Sequence, residues 1–310
     1  MTVALFSHTD CLAHDPGVFH PESPARLRAV LEALEHPDFV PLLREHSPLA
    51  TVEQLCLAHP SDYVQALLAL QPEAGEPMHI DGDTVVSTGT MDAARRQVGG
   101  ACAAVDAVMD GWARAAFVAG RPPGHHAERH RAMGFCFFNG AAIAALHARK
   151  RWGITRVAVV DFDVHHGNGT QDIFQSDPAL FYVSSHQYPC YPGTGTAHER
   201  GVADNVLNMP LPPGTSGRDF RRAWEHIGLP ALEAFAPELI IVSAGFDAHK
   251  ADPLAELLLE TEDFGWITDQ LLAVADRVCE GRLVSVMEGG YDLRALAASA
   301  ALHVRRLLRQ

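Results

Sequence analysis

Paired cysteines are what this sequence most clearly lacks. Its six cysteines are widely scattered, and no two of them form a C-x-x-C motif. A disulfide framework is typical of secreted chains much smaller than 310 residues, so we expect free thiols. Reduced cysteines in turn indicate a cytoplasmic protein. The six positions are Cys11, Cys56, Cys102, Cys136, Cys190 and Cys279.

The sequence also has no long apolar run and little positive charge. No window approaches the ~20 apolar residues that a membrane span needs. The N-terminus, MTVALFSHTD, lacks the basic region that begins a signal peptide. Lys and Arg number 24 against 38 Asp and Glu, which gives a formal charge of −14. Non-specific binding to nucleic acid or to an anionic membrane needs basic patches, so we expect neither partner.

No linker, internal repeat or low-complexity block divides the chain, so we expect residues 1–310 to form a single domain. Strand-like segments alternate with helical ones, which is typical of an α/β fold with a largely parallel sheet and helices on both faces. Residues 71–88 are rich in Pro, Gly and Asp and predict a loop. The predicted strands are Val3–Ser7, Ala115–Ala119, Val157–Val160, Ala179–Ser184, Val206–Leu211, Glu238–Ser243 and Leu283–Met287.

The stretch at 156–170, RVAVVDFDVHHGNGT, carries the strongest functional signal. Its continuous apolar run suits a strand buried on both faces. If the chain stays extended beyond Val160, the side chains of Asp161, Asp163 and His165 point the same way. Charged groups beside a hydrophobic core are costly, and a bound divalent metal is the usual compensation. A single Asp that caps the following turn is the plain alternative, but it does not explain the whole D-x-D-x-H-H-G-N-G pattern.

Polar residues collect after four of the predicted strands. Open parallel sheets bind ligands at the carboxyl edge, so these residues are expected to share one site. Asp247 alone is explained as well by a helix cap, but beside Asp163 and His165 it supplies the third ligand of an open metal site. Two carboxylates and one imidazole are oxygen-rich for zinc, which leaves Fe²⁺ or another divalent ion as an alternative. The collected residues are His125, His126, Asp163, His165, Asp247 and Tyr291.

The tandem histidines and the tyrosine are the candidate acid–base and oxyanion groups. His125 and His126 follow a Pro-Pro-Gly segment. One imidazole can act as a general base while the other tunes its charge. Tyr291 follows two glycines, so its hydroxyl can reach a substrate carbonyl and act as an oxyanion donor. The structural alternatives are a hydrogen-bonded loop pair for the histidines and simple packing for the tyrosine.

Several motifs, in this order along the chain, resemble the zinc-dependent histone deacetylases and their bacterial relatives, which include acetylpolyamine amidohydrolases. HHGNGT and GFDAH-x-x-DP are similar to the class II branch more than to class I. The resemblance begins at HPE (20–22) and implies an arginase-like fold with a central sheet of eight mostly parallel strands. The motifs are RPPGHH (121–126), GFCFFN (134–139), DFDVHHGNGT (161–170), YPGTG (191–195), SAGFDAHKADPL (243–254) and EGGY (288–291).

For metals, the resemblance implies a zinc ion bound by Asp163, His165 and Asp247. Arginases, which share the fold, bind two manganese ions and use a second Asp where this chain has His249, so one such metal is expected. The resemblance also implies structural K⁺ at two places. The first matches Asp161, Asp163, His165, Ser184 and Ser185, and the second matches Phe174, Asp177 and Leu180.

For catalysis, the resemblance implies that His126 is the general base and then the acid, with His125 as its electrostatic partner. Asp161 is implied to hydrogen-bond His125, and Tyr291 to polarise the acyl carbonyl. Asn168 stands where class I members carry Asp, so the support for His126 is weaker in charge.

For the substrate, the resemblance implies a tunnel that admits an acyl-lysine side chain. Phe135 and Tyr191 match its aromatic walls, and Gly134 and Gly289 match further positions of the substrate site. The polyamine-selective class II enzyme has a Glu gatekeeper after the D-P pair, whereas this chain has Leu254. That difference favours acyl-lysine over a cationic polyamine.

The sequence therefore predicts a zinc-dependent deacylase that hydrolyses N-acylated lysine side chains in proteins or peptides through a metal-activated water. A deacetylase of acetylpolyamines or of another small acetylated amine is one alternative, and a non-catalytic acyl-amine sensor on the same fold is another. A serine hydrolase is disfavoured because no G-x-S-x-G motif is present. The expected partner is the acylated substrate, and an oligomer is left open.

Overall fold

The computed structural model describes residues 2–73 and 75–309. Its centre is one sheet of eight strands that all pair in parallel, which confirms the predicted architecture. A separate antiparallel hairpin is formed by β3 (Met78–His79) and β4 (Val85–Val86). The sheet has the order β2-β1-β5-β10-β9-β6-β7-β8 and consists of β1 Val3–Ser7, β2 Leu42–His46, β5 Ala115–Val118, β6 Val157–Asp161, β7 Leu180–Gln187, β8 Val206–Leu211, β9 Leu239–Ala244 and β10 Leu283–Met287.

Helices cover both faces of the sheet, and none of those described is long and apolar enough to cross a membrane. Residues 217–235 are helical throughout, with a π-helical turn at Trp224–Gly228 between α7 and α8. The helices are α1 Pro24–Ala33, α2 Val52–Leu55, α3 Ser61–Leu68, α4 Thr90–Met109, α5 Gly140–Trp152, α6 Asn168–Phe174, α7 Gly217–Ala223, α8 Leu229–Phe235, α9 Thr261–Val278 and α10 Leu293–Leu307.

Two hydrophobic clusters form the core, one on each face of the sheet. Successive residues of a strand alternate between them, as a strand period of two requires. Ala158 and Val160 of β6 lie in the cluster with α1, α9 and α10, whereas Val157 and Val159 lie in the cluster with α4 and α5. All five residues of β6 are buried, which explains why its sequence is continuously apolar up to Asp161.

Two features of the fold differ from the sequence-based prediction. The edge strand β2 was not predicted, because only Leu42 is buried and the next four residues are exposed, so it has no apolar period. The predicted loop at 71–88 contains the hairpin β3–β4, whose strands are only two residues long. Both elements lie at the margin of the molecule, where few residues are buried and the sequence therefore shows no regular apolar pattern.

A buried histidine in the α9–α10 layer makes stability depend on pH. His303 is fully buried between Thr268 Oγ1, 2.7 Å from Nδ1, and Ser285 Oγ, 2.8 Å from Nε2. Burial lowers the pKa of His303 to about 3. The unfolded chain takes up this proton at a higher pH than the folded chain does. Stability therefore falls as the pH decreases below the unfolded pKa of about 6.5, by about 1.4 kcal/mol per pH unit.

We expect His303→Gln, which removes the titrating group, to have a shallower acid slope of unfolding free energy than the wild type. Denaturant titrations at several pH values between about 4 and 7 would measure the slope. His36→Gln, a substitution of an exposed histidine, is the matched control. Equal slopes in the wild type and His303→Gln would contradict the assignment.

Candidate active site

Four neighbouring strands at the middle of the sheet position the predicted side chains. β5, β10, β9 and β6 lie side by side in that order. The segments that follow them carry the paired histidines, the EGGY motif, Asp247 and the D-x-D-x-H motif, respectively. Because the strands are parallel, these segments meet at the carboxyl edge of the sheet.

Asp163, His165 and Asp247 form a buried cluster that can hold a metal ion. One ligand atom from each lies within 4.8 Å of the others, and His165 Nδ1 is 3.2 Å from a carboxylate oxygen of both aspartates. Backbone amides orient the carboxylates: Gly289 N donates to Asp163 and Val164 N donates to Asp247. Burial, together with Asp163, raises the pKa of Asp247 to about 7. This concentration of buried acid fits a divalent cation, which would neutralise it.

Asp161 does not join this cluster, because the chain stops being extended where β6 ends. Asp161 Oδ1 accepts a hydrogen bond from Asp163 N, and Asp163 Oδ1 accepts one from His165 N, so the side chains of both aspartates turn the backbone. The expectation that all three side chains point the same way is therefore wrong for Asp161. Its Oδ2 instead lies 3.0 Å from His125 Nδ1 and accepts from Tyr182.

The surroundings of the two paired histidines shift their pKa values in opposite directions. Burial disfavours the charged form of His125, but Asp163 and Asp161 outweigh it and raise its pKa to about 10. Burial, and then the positive charge of His125, hold the pKa of His126 well below its usual value. The two ring centroids are 4.1 Å apart. His126 is therefore a neutral imidazole that can accept a proton beside a cation.

Asn168 fixes which nitrogen of His126 is free. Its Oδ1 lies 2.8 Å from His126 Nδ1, while its Nδ2 donates to Glu128 Oε1 at 2.7 Å. Since Glu128 accepts from the amide nitrogen, the amide oxygen must face the imidazole, and Nδ1 of His126 is the protonated nitrogen. Nε2 is left as the acceptor. Sequence reasoning missed Glu128, although it lies two residues after the paired histidines.

A narrow tunnel with a volume of about 200 Å³ leads from the surface to this chemistry. The tunnel brings together the predicted wall residues Phe135 and Tyr191 with Leu254 at its rim. The ring of Tyr191 is 5.1 Å from that of His126, and the ring of Phe135 is 5.9 Å from that of Tyr291. Further lining comes from Gly134, His126, His165, Tyr291 and Asp83, of which only Asp83 was not predicted.

The two glycines assigned to the substrate site are required by close packing. Gly134 has a φ of +56°, and a Cβ there would lie 2.5 Å from the His126 ring. A Cβ at Gly289 would lie 2.1 Å from an Asp247 carboxylate oxygen and 2.6 Å from one of Asp163. Larger side chains would therefore displace the imidazole in one case and two metal-cluster carboxylates in the other.

Tyr291 is held from two sides by residues that sequence reasoning did not assign. The buried Asp252 accepts from Tyr291 N at 2.7 Å through Oδ2 and from Leu254 N at 3.0 Å through Oδ1. Arg26 donates to Gly290 O at 2.6 Å, and its guanidinium lies 4.8 Å from the Tyr291 ring centroid. Burial holds the pKa of the Tyr291 phenol well above 10, although Arg26 opposes this. The phenol is therefore a neutral hydrogen-bond donor.

The first predicted K⁺ site has its residues adjacent, with one side chain turned away. Asp161 of β6 pairs in register with Ser184 of β7. Ser184 Oγ lies 2.8 Å from His186 Nδ1, whereas Ser185 Oγ accepts from Trp224 on the other face of the sheet. Only the main chain of Ser185 can then contribute to a cation shared with Ser184. Oxygen donors of this kind fit K⁺, and the site stays a prediction.

The second predicted K⁺ site holds a side chain at its centre. Asn205 Nδ2 lies 2.9 Å from the carbonyl oxygens of Phe174, Asp177 and Leu180, which are the predicted ligands. Asn205 is buried, and its Oδ1 has no hydrogen-bond partner among the described residues. The Asn205 amide nitrogen, which has two hydrogens to donate, lies at the point where the three carbonyls converge, so this side-chain position and a cation exclude each other, and the site stays a prediction.

We expect Asn205→Ala to free the three carbonyls for a cation. The melting temperature of this variant should rise on exchange of Na⁺ for K⁺ by about 2 °C more than that of the wild type, since ligand binding stabilises the folded state. Differential scanning calorimetry would measure the difference. Asn208→Ala, which removes another buried asparagine nearby, is the control. Identical K⁺ responses in Asn205→Ala and the wild type would show that the carbonyls do not form a cation site.

Comparison with known proteins agrees with this geometry. The histone deacetylase domain family matches residues 20–307. The chain is 41% identical over 279 residues to the histone deacetylase-like amidohydrolase of Pseudomonas aeruginosa, covering 88% of this chain and 73% of that protein. It is 38% identical to the chloroplastic histone deacetylase 14 of Arabidopsis thaliana, covering 98% of this chain and 76% of that protein.

The fold and the family are also shared with a solved structure. The crystal structure of the HDA15 HD domain superposes with a TM-score of 0.91 at 34% identity, and the match covers 100% of this chain and 88% of that one. The family match spans most of the chain, and every residue of the tunnel and of the metal cluster lies within it. The chain therefore belongs to the histone deacetylase family and is a hydrolase of amide bonds.

Proposed function

We propose that this protein is a zinc-dependent deacylase, formed by a single domain over residues 1–310, that removes acyl groups from lysine side chains of proteins or peptides. The proposal rests on the arrangement of side chains at the inner end of the tunnel. There, a neutral imidazole (His126) and a neutral phenol (Tyr291) face the cluster of Asp163, His165 and Asp247. A base, an oxyanion donor and a metal site around one small space are what amide hydrolysis requires.

The metal would be held by Asp163, His165 and Asp247, and would supply Lewis acidity to the acyl carbonyl and to the attacking water. His126 accepts the water proton at Nε2, because Asn168 keeps Nδ1 protonated. The imidazolium then gives that proton to the leaving amine. Tyr291 donates its O–H to the carbonyl oxygen as negative charge develops there.

His125 influences these proton transfers through its positive charge. Its raised pKa keeps it protonated at neutral pH, and Asp161 holds its Nδ1–H. A fixed cation beside His126 disfavours a second positive charge, so the proton that His126 accepts is released readily to the amine. Asp161 is thus a positioning residue for His125, and Asn168 is one for His126.

The shape of the tunnel supports a lysine side chain as the substrate group. Aromatic rings of Phe135 and Tyr191 line it, and the apolar Leu254 lies at its rim, where it offers no charge to a cationic amine. A specific observation favours acetylpolyamines as a second candidate: the carboxylate-bearing Asp83 also lines the tunnel and can pair with a distant ammonium group.

We further propose a structural K⁺ at the site of Asp161 and Ser184, and an acylated peptide or small acetylated amine as the partner, with no nucleic acid or membrane; an oligomer is left open. A cytoplasmic location is supported by the six cysteines, all of which are free thiols.

The decisive experiment compares kcat/KM on an acetyl-lysine peptide and on N-acetylspermidine, with zinc content measured in the same preparation. We expect the peptide to be hydrolysed at least about tenfold more efficiently, because the apolar rim offers little to a polyamine cation. A reversed preference would assign the enzyme to acetylpolyamines. Binding of both compounds to the zinc-loaded protein without turnover would instead identify an acyl-amine sensor.

A further inference from the structure

A surface groove continues from the mouth of the tunnel. It lies between residues 16–21 and the hairpin β3–β4, and has a volume of about 460 Å³. Asp83 and Phe135 line both the groove and the tunnel. The two spaces therefore meet at this pair of residues, and a ligand that leaves the tunnel on this side passes directly into the groove.

Hydrogen bonds fix the two walls of the groove relative to each other. Asp15 N donates to Ser87 Oγ at 2.8 Å at one end. Nearer the tunnel, His20 Nε2 donates to Asp83 O at 2.9 Å. The His20 ring also packs edge-on against Phe135, with centroids 4.7 Å apart. Ties of this kind preorganise a groove before its ligand arrives.

The wall formed by residues 16–21 presents apolar side chains to solvent. Phe19 is 100% exposed and its neighbour Val18 is 94% exposed. Both line the groove together with Pro16, Pro21 and Val85. An apolar patch beside a binding site is typical of a surface that is covered when the ligand is bound.

We propose that this groove binds the apolar side chain of a residue next to the acyl-lysine in a peptide substrate whose backbone turns at the mouth of the tunnel. The proposal rests on the proposed function and narrows its substrate class. The tunnel has a volume of about 200 Å³, which is room for one acyl-lysine side chain, so the peptide backbone is placed at the mouth, beside Asp83 and Phe135. Adjacent Cα atoms are about 3.8 Å apart, so a turn of the backbone at the mouth brings the neighbouring side chain within reach of the opening of the groove. A small acetylated amine has no group to fill it.

The test uses two capped tripeptides, Leu–acetyl-lysine–Leu and Gly–acetyl-lysine–Gly, with the zinc-loaded full chain. Both kcat/KM and Kd, by competition with a fluorescent peptide, are measured for the wild type and for Phe19→Ser, Phe19→Leu and Val40→Ser. Val40 is 81% exposed and does not line the groove, so it is the matched control.

We expect the wild type to bind and cleave the Leu-flanked peptide about tenfold better than the Gly-flanked one, since an exposed aromatic anchor is covered. Phe19→Ser should abolish this preference and leave the Gly-flanked peptide unaffected. Phe19→Leu should retain most of the preference, and Val40→Ser all of it.

Equal Kd values for the two peptides in the wild type would overturn the proposal, as would a Phe19→Ser variant that weakens both peptides equally. Light scattering adds a third such outcome: a dimer that dissociates in Phe19→Ser would show that a second copy covers the groove. A wild type that binds with the expected preference but does not cleave would instead leave the groove in place and refute the deacylase function.

Discussion

Removal of the metal with a chelator is expected to abolish amide hydrolysis, and one equivalent of Zn²⁺ per chain is expected to restore it. Asp163, His165 and Asp247 form a buried cluster that could hold a metal ion, and an ion held there would polarise both the carbonyl and the attacking water. Metal ions contribute several kcal/mol to such reactions, so the rate should fall by about 10³-fold or more. Elemental analysis and initial rates on the same samples would measure both effects.

Two carboxylate variants separate the loss of a metal ligand from the loss of a negative charge near the site. Asp247→Asn should lower the zinc content and the rate together, because it weakens one of three ligands. Asp83→Asn is the control, since Asp83 lines the tunnel but lies outside the metal cluster. Full turnover by protein shown to be metal-free, or restoration only after two equivalents, would contradict the single-metal assignment.

Loss of the Tyr291 hydroxyl should lower kcat by about 10²–10³-fold, or roughly 3–4 kcal/mol in activation free energy, by analogy with other oxyanion donors. The phenol lines the tunnel, and its raised pKa keeps it protonated at neutral pH. Tyr291→Phe preserves the ring that packs between Arg26 and Phe135. KM and zinc content should therefore change little, and steady-state kinetics would show a loss confined to kcat.

Tyr63→Phe is the matched control for this variant. The Tyr63 hydroxyl also donates a hydrogen bond, to Phe137 O at 2.7 Å, but it does not line the tunnel. Its removal should cost about 1 kcal/mol in stability and leave the rate unchanged. If Tyr291→Phe kept nearly full turnover, the oxyanion role of the phenol would be wrong.

Much of the fold could be predicted from the sequence, because buried parallel strands need apolar residues on both faces. The runs at β6 and β9 show this directly, and the polar residues after them mark the edge where ligands bind. The strand β2 has no such signal, since four of its five residues face solvent. Its place in the sheet is set by pairing with β1, which leaves no pattern in the side chains.

The contents of the site were predictable, but several contacts were not. Motifs identified the metal cluster and the paired histidines by residue type. The departure of Asp161 from strand alternation depends on turns made by its own carboxylate and that of Asp163. The position of Asn205 among three carbonyls is a matter of tertiary packing. Contacts between residues far apart in the chain cannot be deduced from spacing alone.

Asp252 gives the site a mechanical constraint. Its two carboxylate oxygens hold the backbone of Leu254 and that of Tyr291. A change that moves the backbone of Leu254 therefore also displaces the backbone of Tyr291. The width of the tunnel entrance at Leu254 and the position of the Tyr291 hydroxyl are coupled in this way. Substitutions at Leu254 that admit bulkier acyl-amines would therefore change kcat as well as substrate selectivity. A change of substrate range through this position is thus coupled to the rate of the reaction.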